Sequence, residues 1–370
     1  MTEILFIIVI GVLAAGSMIV IKSRTKDQRN AFFFVSLIGF MASLPYMYGA
    51  VTEANNLYGI AVTFATAIIS YSCFSKLFKD SNLGIVSSAL YVFSIFRIYK
   101  LHIRGEIGEG AALMFLPLVV GGLYGILAEE DSDSSDKNAW IFLAAGFVGL
   151  IYTDTATCMI TVLTTLMVCI FLIPRFLCKK VWLAFVKALA VTAITGGWYL
   201  VRSVRACDIA VDTIQQRGLL PVQLFFHFWK DQNAQALSPV GVGFVLMAVL
   251  ILFFIMWFSG AFTAEKDRKL SFVKVVACES VLLLTMSLQH FPWDRIQRIH
   301  PRVFLIVSNM SFPDRFLGGA TIFIIIINGF LMDYFAKKHK VIYWLMLIAV
   351  LLSVTTSGMY MLDYIKVNQI

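Results

Sequence analysis

The sequence predicts an all-α fold, a polytopic transmembrane bundle of about 12 helices. Three observations carry that expectation. Of the 370 residues, 59% are hydrophobic and only 14% are charged. The mean hydropathy of +0.84 lies outside the range of soluble globular domains. The apolar residues also collect in runs approaching the roughly 20 residues that one bilayer crossing requires. No stretch is long and polar enough for a separate soluble domain, so residues 1–370 read as a single integral membrane domain.

The expected spans run at roughly 3–21, 31–52, 57–75, 82–96, 110–127, 139–153, 157–174, 182–201, 240–261, 271–288, 315–335 and 341–360. The first run lacks a basic leader and has its cations behind it. That pattern predicts a retained helix with its N-terminus outside. Lys and Arg then gather in KSRTKDQRN, KLFKD, RFLCKK, AEKDRKL and KKHK, on the cytoplasmic side by the positive-inside rule. The loop Glu129 to Lys137 falls on the same side and is acidic, which the rule tolerates.

The opposite, outer face receives Arg97 to Glu109, Tyr152 to Thr157, Arg202 to Ser238 and His290 to Arg315. These loops mix Arg with Asp, Glu, His, Trp and Pro, more variety than topology needs, and this places the functional face outside. The net charge of +8 is spread over short loops, which points to anionic lipid head groups rather than nucleic acid. The six cysteines form no CxxC pair and no zinc spacing, so free thiols are expected. Walker A, dinucleotide, GxSxG and HExxH patterns are absent from the sequence.

The richest stretch is FRIYKLHIRGEIGEG, Phe96 to Gly110. Arg97, Lys100 and Arg104 follow helical spacing, and the segment Ile98 to Ile107 reads as an amphipathic helix at the membrane interface. Glu106 and Glu109 stand just before a span, where the helix dipole favours carboxylates. They are either caps and ion-pair partners or contacts to substrate or metal. Asp154, in YTDTAT, either caps the next helix or points into an outer cavity. Arg202 and Arg205 either snorkel to the interface or hold a lipid phosphate. The segment Ala206 to Ser238 suggests a pair of surface helices. In Gln289 to Arg315, three prolines break the chain, Trp293 is a residue type of interfacial belts, and Arg295 and Arg315 add charge. Phe304 to Val307 is a candidate re-entrant piece. Glu279 is the one acid clearly inside an expected span.

Several of these motifs resemble one family. The pattern Arg97-x-Tyr99, Arg104-x-x-x-Gly108-Glu109, Phe115-x-Pro117-Leu118 and Gly122-Leu123-Tyr124 is similar to bacterial membrane proteins named for a 6-pyruvoyl-tetrahydropterin-synthase-related domain. GFVGLIYTDTAT and the pairing of Phe291-Pro292-Trp293 with Phe312-Pro313-x-Arg315-Phe316 add to the likeness. Asp154 stands where the family often has His, and Asp314 where it has Trp. The resemblance covers about residues 57–360, leaving 1–56 as two helices without clear counterparts. It implies a GT-C-like fold, with amphipathic interfacial helices on the outer face, in the plasma membrane of a bacterium. The implied activity is sugar transfer from a polyprenyl-phosphate donor to a cell-envelope acceptor. Glu106, Glu109 or Asp154 would serve as base or ligands for Mg or Mn. Arg97, Tyr99, Arg104, Arg202, Arg205, Trp293, Arg295 and Arg315 would hold the substrate. The competing expectation is a non-catalytic protein that binds or translocates a lipid-linked envelope precursor. A secondary transporter is a third reading, which would call for charged or broken helices at the bilayer midplane.

Overall fold

The computed structural model describes residues 26–48, 53–128, 138–205, 217–225, 241–262, 268–299, 307 and 312–368. The span expected at 3–21 and the acidic loop lie outside them, as do most of Ala206 to Ser238 and the re-entrant piece except Val307.

The described residues are helical throughout, with a lone β-bridge between Leu219 and Leu288. In chain order the helices are α1 (Lys26–Tyr48), α2 (Glu53–Phe78), α3 (Ser81–Val92), α4 (Ile95–Ile98), α5 (Ile107–Ala112), α6 (Leu116–Leu127), α7 (Ala139–Thr153) and α8 (Thr155–Phe171). There follow α9 (Ile173–Phe176), α10 (Lys179–Arg205), α11 (Pro221–Phe225), α12 (Phe244–Phe258), α13 (Arg268–Met286), α14 (Trp293–Gln297), α15 (Phe316–Lys338) and α16 (Lys340–Asn368). Every span expected from residue 31 onward coincides with a helix. Among the described residues five stretches are long and apolar enough to cross a membrane: Leu57–Phe78, Ile107–Leu127, Lys179–Val201, Pro313–Lys338 and Lys340–Met361. Ser81–Val92 and Ile95–His102 make a sixth if the pair, bent by 42°, counts as one. Among the described residues, five or six of the expected crossings thus meet the length and composition of a single span. Helices such as α7, α8 and α12, at 15 to 17 residues, reach only about 22–26 Å against a hydrocarbon core of about 30 Å.

Burial sorts these spans into layers. The helix α15 is the central one: Leu317, Ile324, Ile325, Ile326 and Ile327 have no exposed surface. A first turn of 3-10 helix, Pro313–Arg315, leads into it, with proline where no backbone donor is needed. The helices α10 and α16 are peripheral. Leu189, Ile194, Trp198, Leu345 and Leu352 stay exposed on them, an apolar girdle suited to lipid. Elsewhere small residues allow close approach. A side chain at Gly122 would meet the backbone nitrogen of Leu143 at 2.6 Å, so α6 and α7 pack nearly backbone to backbone.

The segment expected to lie on the membrane surface is instead built into the core. After α4 the chain makes a π-helical turn, Tyr99–Ile103. Ile98, Lys100 and Leu101 are buried. The wider turn breaks the 3.6-residue spacing on which a shared face for Arg97, Lys100 and Arg104 depended. Gly105 then reverses the chain with φ +63°, a conformation that glycine adopts without strain. Glu106 is thereby brought back beside Lys100.

Candidate functional site: a buried ion network at one end of the bundle

Three loops remote in sequence meet at one end: 104–106 between α4 and α5, Asp154 between α7 and α8, and 312–315 before α15. These are three of the four segments that charge patterning assigned to one face. At their junction Lys100, without exposed surface, sits among three carboxylates. Its Nζ lies 3.1 Å from Glu106 Oε2, 3.0 Å from Glu109 Oε2 and 3.0 Å from Asp314 Oδ2. Arg104 bridges the same acids from the rim, Nε at 3.0 Å from Glu106 and a terminal nitrogen at 3.4 Å from Asp314. Arg315 reaches Glu109 at 3.4 Å and Asp154 at 2.7 Å. The Asp154 side chain also accepts from the Thr157 N–H at 2.9 Å and its hydroxyl at 2.6 Å, so it caps α8 and pairs with Arg315 at once.

The network is graded from wet to dry. The side chains of Arg104 and Glu106 are 27% and 25% exposed, while those of Lys100 and Glu109 are 0% and 2% exposed. Aromatic rings finish the rim. The guanidinium of Arg104 lies 4.3 Å from the centre of the Phe312 ring, and that of Arg217 lies 4.9 Å from it. One ring thus collects two cations by cation–π attraction.

Four carboxyl groups face three cations here. Partial burial of Glu106 opposes its charge. The Glu109 hydrogen bond and the charges of Lys100 and Arg104 outweigh that and bring its pKa down to about 2. The folded state therefore releases the Glu106 proton more readily than the unfolded chain. The stability this contributes is complete above the ordinary carboxylate value of 4.5 and is lost as pH falls towards 2. We expect the melting temperature of the purified protein to drop across that window, and the drop to be shallower in Glu106→Gln. An equally steep drop in the variant would refute the assignment.

The other expected site residues are dispersed. Arg97 is buried but turns away from the network. It donates to the Val92 carbonyl at 3.1 Å and to the Thr63 and Thr66 hydroxyls at 3.3 and 3.2 Å. Tyr99 belongs to the apolar core. Trp293 is 3% exposed, donates to the Met286 carbonyl at 2.9 Å and stacks on Phe316 at 5.4 Å, so it joins the end of α13 to the start of α15. Arg295 is exposed on α14. Arg202 and Arg205 close α10, and their side chains lie outside the described residues. Lys100 and Asp314, which no sequence motif marks as site residues, are the centre of the network.

Among the described residues no three of His, Cys, Asp and Glu gather as a metal site. Lysine and arginine nitrogens stand where a divalent ion would sit between the carboxylates. The five described cysteines are free thiols. No protein-family model matches the chain, and comparison with curated proteins finds no significant match.

Proposed function

We propose that this protein takes the phosphate head of a lipid-linked envelope precursor at the ion network on the outer face of a bacterial plasma membrane, within a GT-C-like bundle. One observation carries the reading. Every acid that Arg104 or Arg315 holds has a second partner. Glu106, Glu109 and Asp314 keep Lys100, and Asp154 keeps Thr157. Arg104 at the rim and Arg315 just inside it, 13% exposed, can therefore turn onto phosphate oxygens without orphaning a buried carboxylate, which would be costly. Guanidinium groups suit that exchange, because they present paired donors to phosphate as they do to carboxylate. A polyprenyl phosphate is the class of ligand that joins such a head to a tail soluble in the bilayer.

Binding without catalysis is the reading the acids favour. A carboxylate with a pKa near 2 is a feeble general base, and Glu109 has no access to an acceptor behind Lys100. Sugar transfer is kept as a second reading because Asp154, 19% exposed beside Arg315, remains reachable. Native mass spectrometry with polyprenyl phosphate and phosphatidylglycerol in competition tests the first reading. Preferential retention of polyprenyl phosphate is expected, and equal retention refutes it. An Asp154→Asn variant that binds the lipid but loses transfer would establish the second, whereas unchanged transfer would remove Asp154 as the base.

A further inference from the structure

The acid in the middle of the bundle has no role in the network. Glu279, on α13, is 0% exposed, and neither carboxylate oxygen has a hydrogen-bond partner among the described residues. An ionised carboxylate without a counter-ion inside a membrane is prohibitively expensive, so a residue of this kind asks for a ligand. The smallest ligand that neutralises it is a proton.

A polar stripe leads to it. On α8 the buried face reads Thr157, Thr161, Thr164, Thr165 and Cys169, successive turns of one helix. The stripe begins where Asp154 bonds the Thr157 hydroxyl, and from Thr157 it runs about 18 Å to Cys169 at a rise of 1.5 Å per residue. Cys169 is within electrostatic reach of Glu279. Along the stripe lies a cavity of about 20 Å³, lined by those four threonines, Arg315, Gly319 and Phe323 among others. That is room for one water. It is far too little for a lipid tail.

The register of α13 against α15 brings Glu279 to the same level. Trp293 ties Met286 to Phe316, and a side chain at Gly319 would meet Leu283 at 3.1 Å. One turn deeper on each antiparallel helix, Glu279 stands level with Phe323 of the cavity wall. The buried hydroxyl of Thr165, in the stripe itself, lacks a partner among the described residues. The elements packed on Glu279 bring little charge. From α8 the titratable group facing it is Cys169. The helix α15 carries none between Arg315 and Asp333. On α13 itself Lys274 is turned to the Trp257 ring.

We propose that Glu279 is an intramembrane proton-binding site, loaded from the ion network along the threonine stripe of α8. The proton passes by way of the cavity water and the threonine hydroxyl lone pairs, and protonation converts the carboxylate to a neutral acid. The site is independent of the lipid reading above, since it requires no phosphate ligand.

Infrared spectroscopy of the protein in nanodiscs tests this. The wild type should show a protonated-carboxyl carbonyl band that is missing from Glu279→Gln and shifts promptly in D2O. In Thr161→Val/Thr165→Val the same band should persist but exchange at least about tenfold more slowly. A spectrum unchanged by Glu279→Gln, or exchange unaffected by the valines, would overturn the proposal. Should Glu279→Gln fail to fold, wild-type membranes treated with dicyclohexylcarbodiimide decide instead. This apolar reagent adds to protonated carboxyls, the acid proton moving to a carbodiimide nitrogen. An adduct mapped to Glu279 supports the site, and an unmodified Glu279 refutes it.

Discussion

Replacing Lys100 by alanine should destabilise the protein by about 3–5 kcal/mol, the cost of stripping the counter-ion from a buried ionic group. Its ammonium is shared by Glu106, Glu109 and Asp314 at 3.0 to 3.1 Å and is closed to solvent. Without it Asp314 depends on a 3.4 Å contact to Arg104 and Glu109 on a 3.4 Å contact to Arg315. Neutralising the acids in the same chain, with Glu109→Gln and Asp314→Asn, should restore part of the loss, because residues of one network do not act additively. Thermal unfolding in detergent, followed by tryptophan fluorescence, measures both. If Lys100→Ala melts like Arg104→Ala, the lysine is not the hub described here.

The second large effect concerns binding and spares stability. Arg315→Ala should weaken polyprenyl-phosphate binding by roughly 10- to 150-fold, the equivalent of the 1.5–3 kcal/mol carried by a hydrogen bond to a charged group. Its stability cost should be modest, since Asp154 retains both bonds to Thr157 and Glu109 retains Lys100. Arg315→Lys should recover only part of the affinity, as it restores the charge but not the paired donors. Titrating the lipid against each variant by native mass spectrometry gives the ratios. A large fall in melting temperature with unchanged affinity would reverse the roles assigned to Lys100 and Arg315.

The parts of this arrangement legible in the sequence are those written in composition and loop charge. Apolar runs locate the helices, and the mixed-charge loops pointed to the end at which 104–106, Asp154 and 312–315 converge. Hydropathy marks the apolar runs without fixing their helical length, and runs such as Ala139–Thr153 are apolar throughout yet shorter than a full crossing. The π-helical turn at Tyr99–Ile103 left no mark, since YKLHI holds neither glycine nor proline. It is that turn which separates Arg97, bonded to threonine hydroxyls and a carbonyl, from Lys100, held by acids. The centrality of Lys100 had one sequence signal, a lysine amid apolar residues with two glutamates closely following. A buried lysine is tolerated in a membrane only beside such partners. Asp314 had a weaker signal, an acid in place of an expected aromatic, and its partner Lys100 is 214 positions away.

The most direct test of the account is the lipid that accompanies the protein when it is extracted gently from its own membrane. Mass spectrometry of that lipid should find a polyprenyl phosphate or its sugar adduct with the wild type and lose it with Arg104→Ala/Arg315→Ala. The same bulk phospholipid in both, with no polyprenyl species in either, would contradict a phosphate site at the network.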